Sequence, residues 1–163
     1  MTPPTFRRLA PGDESALLAF YNGLSAAAKR TFRPLGPVTL PEVCAGIVAD
    51  NTDGARKKFD VVAVADGRII GWSFLWKLDT DEPVFGLAVA DAFHGQGIGT
   101  ALMTRVMQTA REMQLPTVYL TVVTDNTVAW RLYETQGFVK YGEFTGEDGL
   151  PYFKMKAAVD GRQ

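Results

Sequence analysis

A glycine-spaced turn at residues 94–100 is the segment whose residue types point most directly to chemistry. It reads His-Gly-Gln-Gly-Ile-Gly-Thr and follows an apolar run at residues 86–90. Glycines at positions 95, 97 and 99 leave no side chain to obstruct a ligand that approaches the backbone. Where a helix begins at such a turn, its free N–H groups and its dipole favour an anion such as a pyrophosphate.

Three kinds of phosphate-binding turn compete for this segment. A dinucleotide-binding fold needs G-x-G-x-x-G, but the residue three positions after Gly97 is Thr100, so the spacing fails. A P-loop needs a Gly-Lys pair followed by Ser or Thr, and that tripeptide does not occur in the chain. The third kind is a turn that holds the pyrophosphate of an acyl-CoA.

At this turn the sequence resembles the GNAT superfamily of N-acetyltransferases. The family pattern is Gln or Arg, two residues of any type, Gly, any residue, and then Gly or Ala, between a strand and a helix. Residues 94–99 match it except at the first position, where His94 replaces Gln or Arg. His94 could still donate to a phosphate, or it could be a loop histidine with no role.

A second block, at residues 126–138, is similar to the same family. It reads Asn-Thr-Val-Ala-Trp-Arg-Leu-Tyr-Glu-Thr-Gln-Gly-Phe and fits the signature N-x-x-A-x-x-L-Y-x-x-x-G-F. The two blocks occur in the family order, separated by one helix and one strand. The resemblance covers residues 59–144, whereas the N-terminal third matches only in its order of elements.

The resemblance implies acetyl-CoA as donor substrate and no metal. It also implies that the strand at residues 87–89 pairs with the pantetheine arm through its exposed edge. A β-bulge at Gly86 and splaying from the next strand would open the slot. The residues expected to contact acetyl-CoA are Leu87, Ala88, Val89, His94, Gly95, Gln96, Gly97, Ile98, Gly99, Thr100, Asn126 and Tyr133.

The implied reaction is direct attack of a primary amine on the thioester in a ternary complex. Tyr133 stands where the family places a tyrosine that protonates the CoA thiolate, although a core tyrosine has the same helical spacing. The general base is open, because Glu82 is a weak candidate and ordered water serves in many relatives.

Several aromatic residues could line the acceptor pocket, together with the N-terminal helices and the loop at residues 31–41. They are Trp72, Phe74, Trp76 and Phe85, and plain core packing is the commoner role of such a stripe. Two alternatives stay open. One is a non-catalytic acyl-CoA-binding or sensor domain, and the other is an enzyme whose acceptor is a protein rather than a small molecule.

Strand and helix patterns alternate along the chain and predict the elements that position these residues. Strands are predicted at residues 6–9, 59–65, 68–77, 84–90, 117–123, 138–144 and 152–157. Helices are predicted at residues 14–24 and 41–50, at 97–114, and from a cap at Asp125 or Asn126 to Gly137. Asp13 is expected to cap the first helix.

The resulting order is β-α-α-β-β-β-α-β-α-β-β. It indicates an α/β protein with helices on both faces of a central mixed sheet. With the resemblance, we expect an acyl-CoA N-acyltransferase fold with a mostly antiparallel sheet of six to seven strands.

Length and composition narrow the class of protein. The 163 residues favour one domain spanning 1–163, and the net charge of −1 lacks the basic footprint of a nucleic-acid-binding protein. A single Cys and a single His argue against a zinc site and against a disulfide within the chain. The sequence shows neither a signal peptide nor a membrane span, so we expect a cytoplasmic protein, with a homodimer suggested by relatives.

Overall fold

One seven-stranded mixed sheet organises the computed structural model, which describes residues 3–52 and 57–159. Its strand order is β1-β2-β3-β4-β5-β7-β6. Every neighbouring pair is antiparallel except β4 and β5. The strands are β1 (Thr5–Arg8), β2 (Phe59–Ala65), β3 (Arg68–Trp76), β4 (Val84–Val89), β5 (Thr117–Val123), β6 (Val139–Thr145) and β7 (Pro151–Ala158).

Five α-helices and one 3₁₀ turn complete the described part of the chain. They are α1 (Glu14–Asn22), α2 (Ala26–Thr31), α3 (Pro41–Asp50), a 3₁₀ turn (Asp91–Phe93), α4 (Ile98–Glu112) and α5 (Thr127–Thr135). The predicted α/β class, the mostly antiparallel sheet and the order of the strands along the chain are confirmed. The short helix α2 was not predicted, and part of the loop expected at residues 51–58 lies outside the described residues.

Helix α2 begins at a local cap that its apolar pattern does not reveal. The Ser25 hydroxyl accepts a hydrogen bond from the Ala28 N–H group at 3.1 Å. This bond satisfies one of the N–H groups that the first turn leaves without a helical partner. The helix matters for function because it forms one wall of the cleft described below.

Two hydrophobic cores lie on opposite faces of the sheet. Helices α4 and α5 cover one face, where Leu102, Met103 and Val106 are fully buried. Helices α1 and α3 cover the other face, where Tyr21 and Trp72 are fully buried. Burying a side chain of this size stabilises the fold by about 1.5–3 kcal/mol, so both cores hold the sheet rigidly between helices.

Asp13 does not cap α1 through its side chain, contrary to the sequence-based prediction. Its carboxylate instead accepts hydrogen bonds from the Arg7 guanidinium at 2.7 and 2.9 Å and from the Ala10 N–H group at 2.8 Å. The bond with Arg7 holds the pKa of the carboxyl below its usual value. A two-pronged bond to a cation outweighs the single N–H bond that a cap would offer.

The helices are also informative about membrane association. Within residues 3–52 and 57–159, every helix is too short or too polar to span a lipid bilayer.

Candidate active site

A slot opens in the sheet where the parallel strands β4 and β5 diverge. The two strands pair at a single register position, Val84 with Tyr119, and the Tyr119 N–H group donates to the Pro83 carbonyl at 2.9 Å. Beyond Val84 the edge of β4 that faces β5 has no strand partner. An extended ligand arm can therefore add to this edge as a further strand would.

The hydrogen-bonding pattern decides which residues of β4 face the slot. The Ala90 N–H group donates to the Ile70 carbonyl of the β3 side at 2.8 Å. Because backbone groups alternate along a strand, those of Ala88 also point to β3, whereas those of Leu87 and Val89 point into the slot. Leu87 and Val89 thus present their backbone groups to an extended ligand in the slot.

Gly86 has a different role from the one expected. The register between β3 and β4 runs unbroken from Gly71–Val89 to Trp76–Val84, so the predicted bulge at Gly86 is absent. A Cβ at Gly86 would lie 2.2 Å from Cζ of Phe74. Glycine is needed here because the Phe74 ring occupies that space, and the slot opens by splaying alone.

The glycine turn leads from β4 into α4. Gly95 and Gly97 have φ angles of +77° and +79°, which L side chains rarely adopt. Gly97 is the N-cap of α4 and has no side chain to satisfy the first-turn N–H groups, so those of Ile98, Gly99 and Thr100 are available to a ligand. The turn therefore presents a positive, unobstructed backbone surface beside the slot.

His94 is oriented by the strand that precedes it. Its Nε2 atom donates to the Val89 carbonyl at 2.8 Å and lies 3.8 Å from Oδ1 of Asp91. The ring therefore ties the turn to the end of β4. It also occupies the Val89 carbonyl, which leaves the Val89 N–H group and the backbone of Leu87 for a ligand. Neither interpretation of His94 from the sequence anticipated this contact.

Asn126 begins α5 at the far wall of the slot. Its side chain makes no capping hydrogen bond, so the predicted side-chain cap is absent. The residue is half-buried and lines the same cleft as the turn. Its carboxamide is therefore not used to cap the helix.

Tyr133 lines the cleft from the second turn of α5. Its ring packs edge-on against Phe85, with centroids 5.8 Å apart, and against Phe138 at 6.1 Å. Burial raises the pKa of the phenol to about 12. The hydroxyl is thus protonated at neutral pH, which is the state that a general acid requires.

Comparison with known proteins agrees with this geometry. The model of the acetyltransferase (GNAT) family matches residues 26–138. The chain belongs to the GNAT family. The match begins at α2, upstream of the two blocks that carry the resemblance in the sequence. This GNAT protein is an acyltransferase, and acetyl-CoA is its donor substrate.

Three similar proteins illustrate the breadth of the match. An uncharacterized N-acetyltransferase of Mycobacterium bovis is 35% identical over an alignment of 126 residues, which covers 71% of this chain and 80% of that protein. The ribosomal-protein-alanine N-acetyltransferase of Brucella melitensis shares the fold with a TM-score of 0.79 and 21% identity, over 94% and 99% of the two chains. The spermidine N-acetyltransferase of Vibrio cholerae, solved with CoA and spermine, shares the fold with a TM-score of 0.76 and 20% identity, over 96% of each chain.

Beyond the slot, the cleft of this GNAT enzyme is walled by aromatic rings. The cleft has a volume of about 1560 Å³, and its aromatic lining beyond the slot comprises Phe32, Phe74, Trp76, Phe144 and Tyr152. Phe74 and Trp76 are stacked, with ring centroids 4.0 Å apart. Phe74, Trp76 and Phe85, three of the four residues considered for the acceptor pocket, line the cleft.

Trp72 does not line the cleft and belongs to the core beneath it. It is fully buried, and its indole donates to the Asp60 carboxylate at 2.7 Å. Alternation along β3 suggested that Trp72 shares a face with Trp76, which is correct. Helix α1 covers Trp72, since Tyr21 packs edge-on against its ring at 6.4 Å.

Asp60 is a buried carboxylate that the sequence analysis missed. It also accepts from the Trp76 indole at 3.1 Å and from the Asn51 carboxamide at 2.9 Å. Burial is the main cause that raises its pKa to about 6. These bonds fix the Trp76 ring in the cleft wall. The available signal was a charged residue within the apolar run at residues 59–65.

Glu82 lies outside the cleft. It is exposed and precedes the first lining residue of β4. The pKa of Tyr141 is raised mainly by burial and to a smaller extent by the charge of Glu82. The carboxylates that do line the cleft are Asp91, Asp125, Glu147 and Asp148. In the described part of the chain, no three His, Cys, Asp or Glu side chains are grouped to hold a metal ion.

Proposed function

We propose that this enzyme acetylates a primary amine by direct attack on acetyl-CoA in a ternary complex, with Tyr133 as the general acid. The observation that carries the proposal is the convergence of three features in one cleft. They are the splayed β4–β5 slot, the uncapped glycine turn and the protonated phenol.

The proposed binding mode divides the donor between these features. Backbone groups of Leu87 and Val89 would pair with the pantetheine amides, and Asn126 would bond the same arm from the opposite wall. The N–H groups of residues 95–100 would hold the pyrophosphate at the positive end of α4. The thioester would then lie in the depth of the slot, beside Phe85 and Tyr133, both of which line it.

The proposed chemistry needs one proton to leave and one to arrive. The neutral amine attacks the thioester carbonyl, the C–N bond forms and the C–S bond breaks. Tyr133 donates its proton to the departing thiolate, and the surplus proton of the attacking nitrogen passes to water. We assign that role to water because Glu82, the carboxylate first considered, is outside the cleft.

The first experiment is isothermal titration of acetyl-CoA into the purified protein, with NAD and ATP as controls. Micromolar binding of acetyl-CoA alone is expected, because the turn lacks the dinucleotide and P-loop spacings. Release of CoA with a panel of primary amines then tests catalysis. Binding without turnover of any amine would instead support the acyl-CoA-binding or sensor alternative.

A further inference from the structure

A shallow pocket adjoins the acceptor end of the cleft. We call it the basic side pocket. It has a volume of about 490 Å³ and is lined by Ala26, Lys29, Arg30, Arg33, Pro37, Asp148 and Leu150. Arg30, Arg33 and Asp148 also line the main cleft, so the two spaces are continuous. A ligand seated in the cleft can extend a group into the side pocket.

The charges of the side pocket favour an anion. Its lining includes three cations and one carboxylate, that of Asp148, and a second carboxylate outside it, Asp125, pairs with one of the cations, Arg30. The Asp148 carboxylate accepts hydrogen bonds from the Tyr152 hydroxyl and from the Leu150 N–H group at 3.0 Å. The bond from Tyr152 is the main cause that lowers the pKa of Asp148. Asp148 is thus bonded within its own hairpin, and the nearby charge of Arg33 also contributes to lowering its pKa.

Arg33 is the cation that has no bond of its own. Arg30 forms a two-pronged ion pair with Asp125 at 3.0 and 3.1 Å, and Lys29 donates to the Asn22 carbonyl at 3.1 Å. Across residues 3–52 and 57–159, the Arg33 side chain has neither an ion pair nor a hydrogen bond. Its planar guanidinium is therefore free to bind a carboxylate or a phosphate.

An apolar surface connects Arg33 with the slot. Phe32 is its neighbour in the chain, and the Phe32 ring lies 6.2 Å from that of Phe74, which is stacked on Trp76. A flat apolar body can pack on these rings while its two ends reach the slot and the side pocket. Pockets of this size and lining suit small molecules, in which one charged group fixes the orientation.

We propose that the acceptor is a small primary amine with an anionic group, which Arg33 binds in the basic side pocket while the amine reaches the thioester. The inference rests on the proposed acetyl transfer. Arg33 acts on recognition and takes no part in the chemical step.

The test compares matched amines that differ in one charge. The probes are para-aminomethylbenzoate, its phosphonate counterpart, its neutral carboxamide, and unbranched amino acids of increasing length with their amides. Wild-type kcat/KM should be at least about tenfold higher for the acids than for their amides, the range of one charge-assisted contact. Comparing kcat/KM for the carboxylate and for its phosphonate counterpart shows which anion the side pocket binds better.

Variants then assign the preference to Arg33. Arg33→Gln should raise KM for the acids about tenfold with kcat nearly unchanged, while the amides keep their KM. Arg33→Lys should restore part of the preference because it keeps the charge. Arg68→Gln removes an exposed cation at the start of β3 and serves as control, with no expected change.

The outcomes separate the two proposals. Equal use of acids and amides by the wild type would overturn the inference and leave acetyl transfer standing. Tight binding of acetyl-CoA with no amine acetylated would overturn the proposed transfer itself. Acetyl-CoA affinity should be the same in Arg33→Gln and wild type. A tenfold lower affinity of the variant for acetyl-CoA would show that Arg33 binds a CoA phosphate, and would refute its role in binding the acceptor.

Discussion

The Tyr133 hydroxyl is buried among aromatic rings, so the residue that we propose as proton donor is also a core side chain. Phe85 and Phe138 pack against its ring, and burial raises its pKa to about 12. An apolar setting disfavours the phenolate, so the proton stays on oxygen at neutral pH. The same apolar setting would also disfavour a departing thiolate, because burial raises the pKa of a thiol toward that of the phenol and so makes the proton transfer easier.

Tyr133→Phe tests this role, because it removes the hydroxyl and keeps the ring packing. We expect kcat to fall by about 10²-fold or more, the range of general acid catalysis, with acetyl-CoA affinity nearly unchanged. Steady-state kinetics and isothermal titration give the two quantities. A variant as fast as the wild type would remove Tyr133 from the mechanism.

Gly97 and Gly99 form a matched pair for testing the turn. Gly97 has a φ of +79°, whereas a Cβ at Gly99 would make ordinary contacts of 3.7 Å with Leu87 and Val89. Gly97→Ala should cost about 1–2 kcal/mol of stability, because an L side chain strains that conformation. It should also weaken acetyl-CoA binding by tenfold or more, since the first-turn N–H groups shift.

Gly99→Ala is the control for that substitution. Its affinity for acetyl-CoA should equal that of the wild type. Its free energy of unfolding should be higher by up to about 1 kcal/mol, because alanine is the better helix residue. Urea unfolding and titration of acetyl-CoA measure both effects. Equal loss of affinity in the two variants would mean that bulk near the slot matters, rather than the conformation of the turn.

At the scale of elements, the aromatic wall of the cleft on strand β3 depends on a buried carboxylate of the neighbouring strand β2. Asp60 on β2 bonds the indoles of Trp72 and Trp76, and Asn51 bonds the same carboxylate. Its pKa of about 6 lies above the value of about 4 in an unfolded chain. Between these values the folded protein binds more protons than the unfolded one, so the contribution of Asp60 to stability falls as pH rises from about 4 to about 6.

Asp60→Asn removes this titration. The free energy of unfolding of the wild type, measured relative to the variant, should fall across that pH window and become constant above about pH 7. Urea unfolding at a series of pH values measures it, and taking the difference cancels the other carboxylates. Asp66→Asn, in the exposed β2–β3 turn, serves as the control for removing one carboxylate elsewhere in the protein. A constant difference for Asp60→Asn would contradict the assigned pKa.

At the scale of the whole molecule, the slot separates two halves of the sheet that share a single parallel pairing position. Strands β1–β4 lie on one side, and β5, β7 and β6 lie on the other. A donor bound in the slot would contact both halves, and such a ligand stabilises the folded state by mass action.

Acetyl-CoA should therefore raise the thermal stability of the whole chain. At about 100 times its Kd, the expected gain is about 2.7 kcal/mol, which corresponds to roughly 5–10 °C in Tm for a chain of this length. Differential scanning fluorimetry measures the shift, with NAD at the same concentration as control. The absence of any shift at saturation would refute donor binding in the slot.

The homodimer stays a prediction, and sedimentation velocity would measure the oligomeric state.

The sequence by itself determined the features that depend on local pattern. Strand alternation, helical periodicity and turn residues predicted all seven strands within about one residue at each end, and the glycine turn pointed to an acyl-CoA pyrophosphate. These signals are local, because a turn or a periodic face is encoded by neighbours in the chain. The two blocks that resemble the GNAT family are local in the same sense.

Only the tertiary structure decided what depends on residues far apart in sequence. It placed Trp72 under α1 and Trp76 in the cleft, although both lie on the same face of β3. It showed that Gly86 leaves room for the Phe74 ring and does not form a bulge. It also showed that Asp60 accepts hydrogen bonds from two indoles. Such contacts are set by which elements pack together, and periodicity within one element carries no information on its distant neighbours.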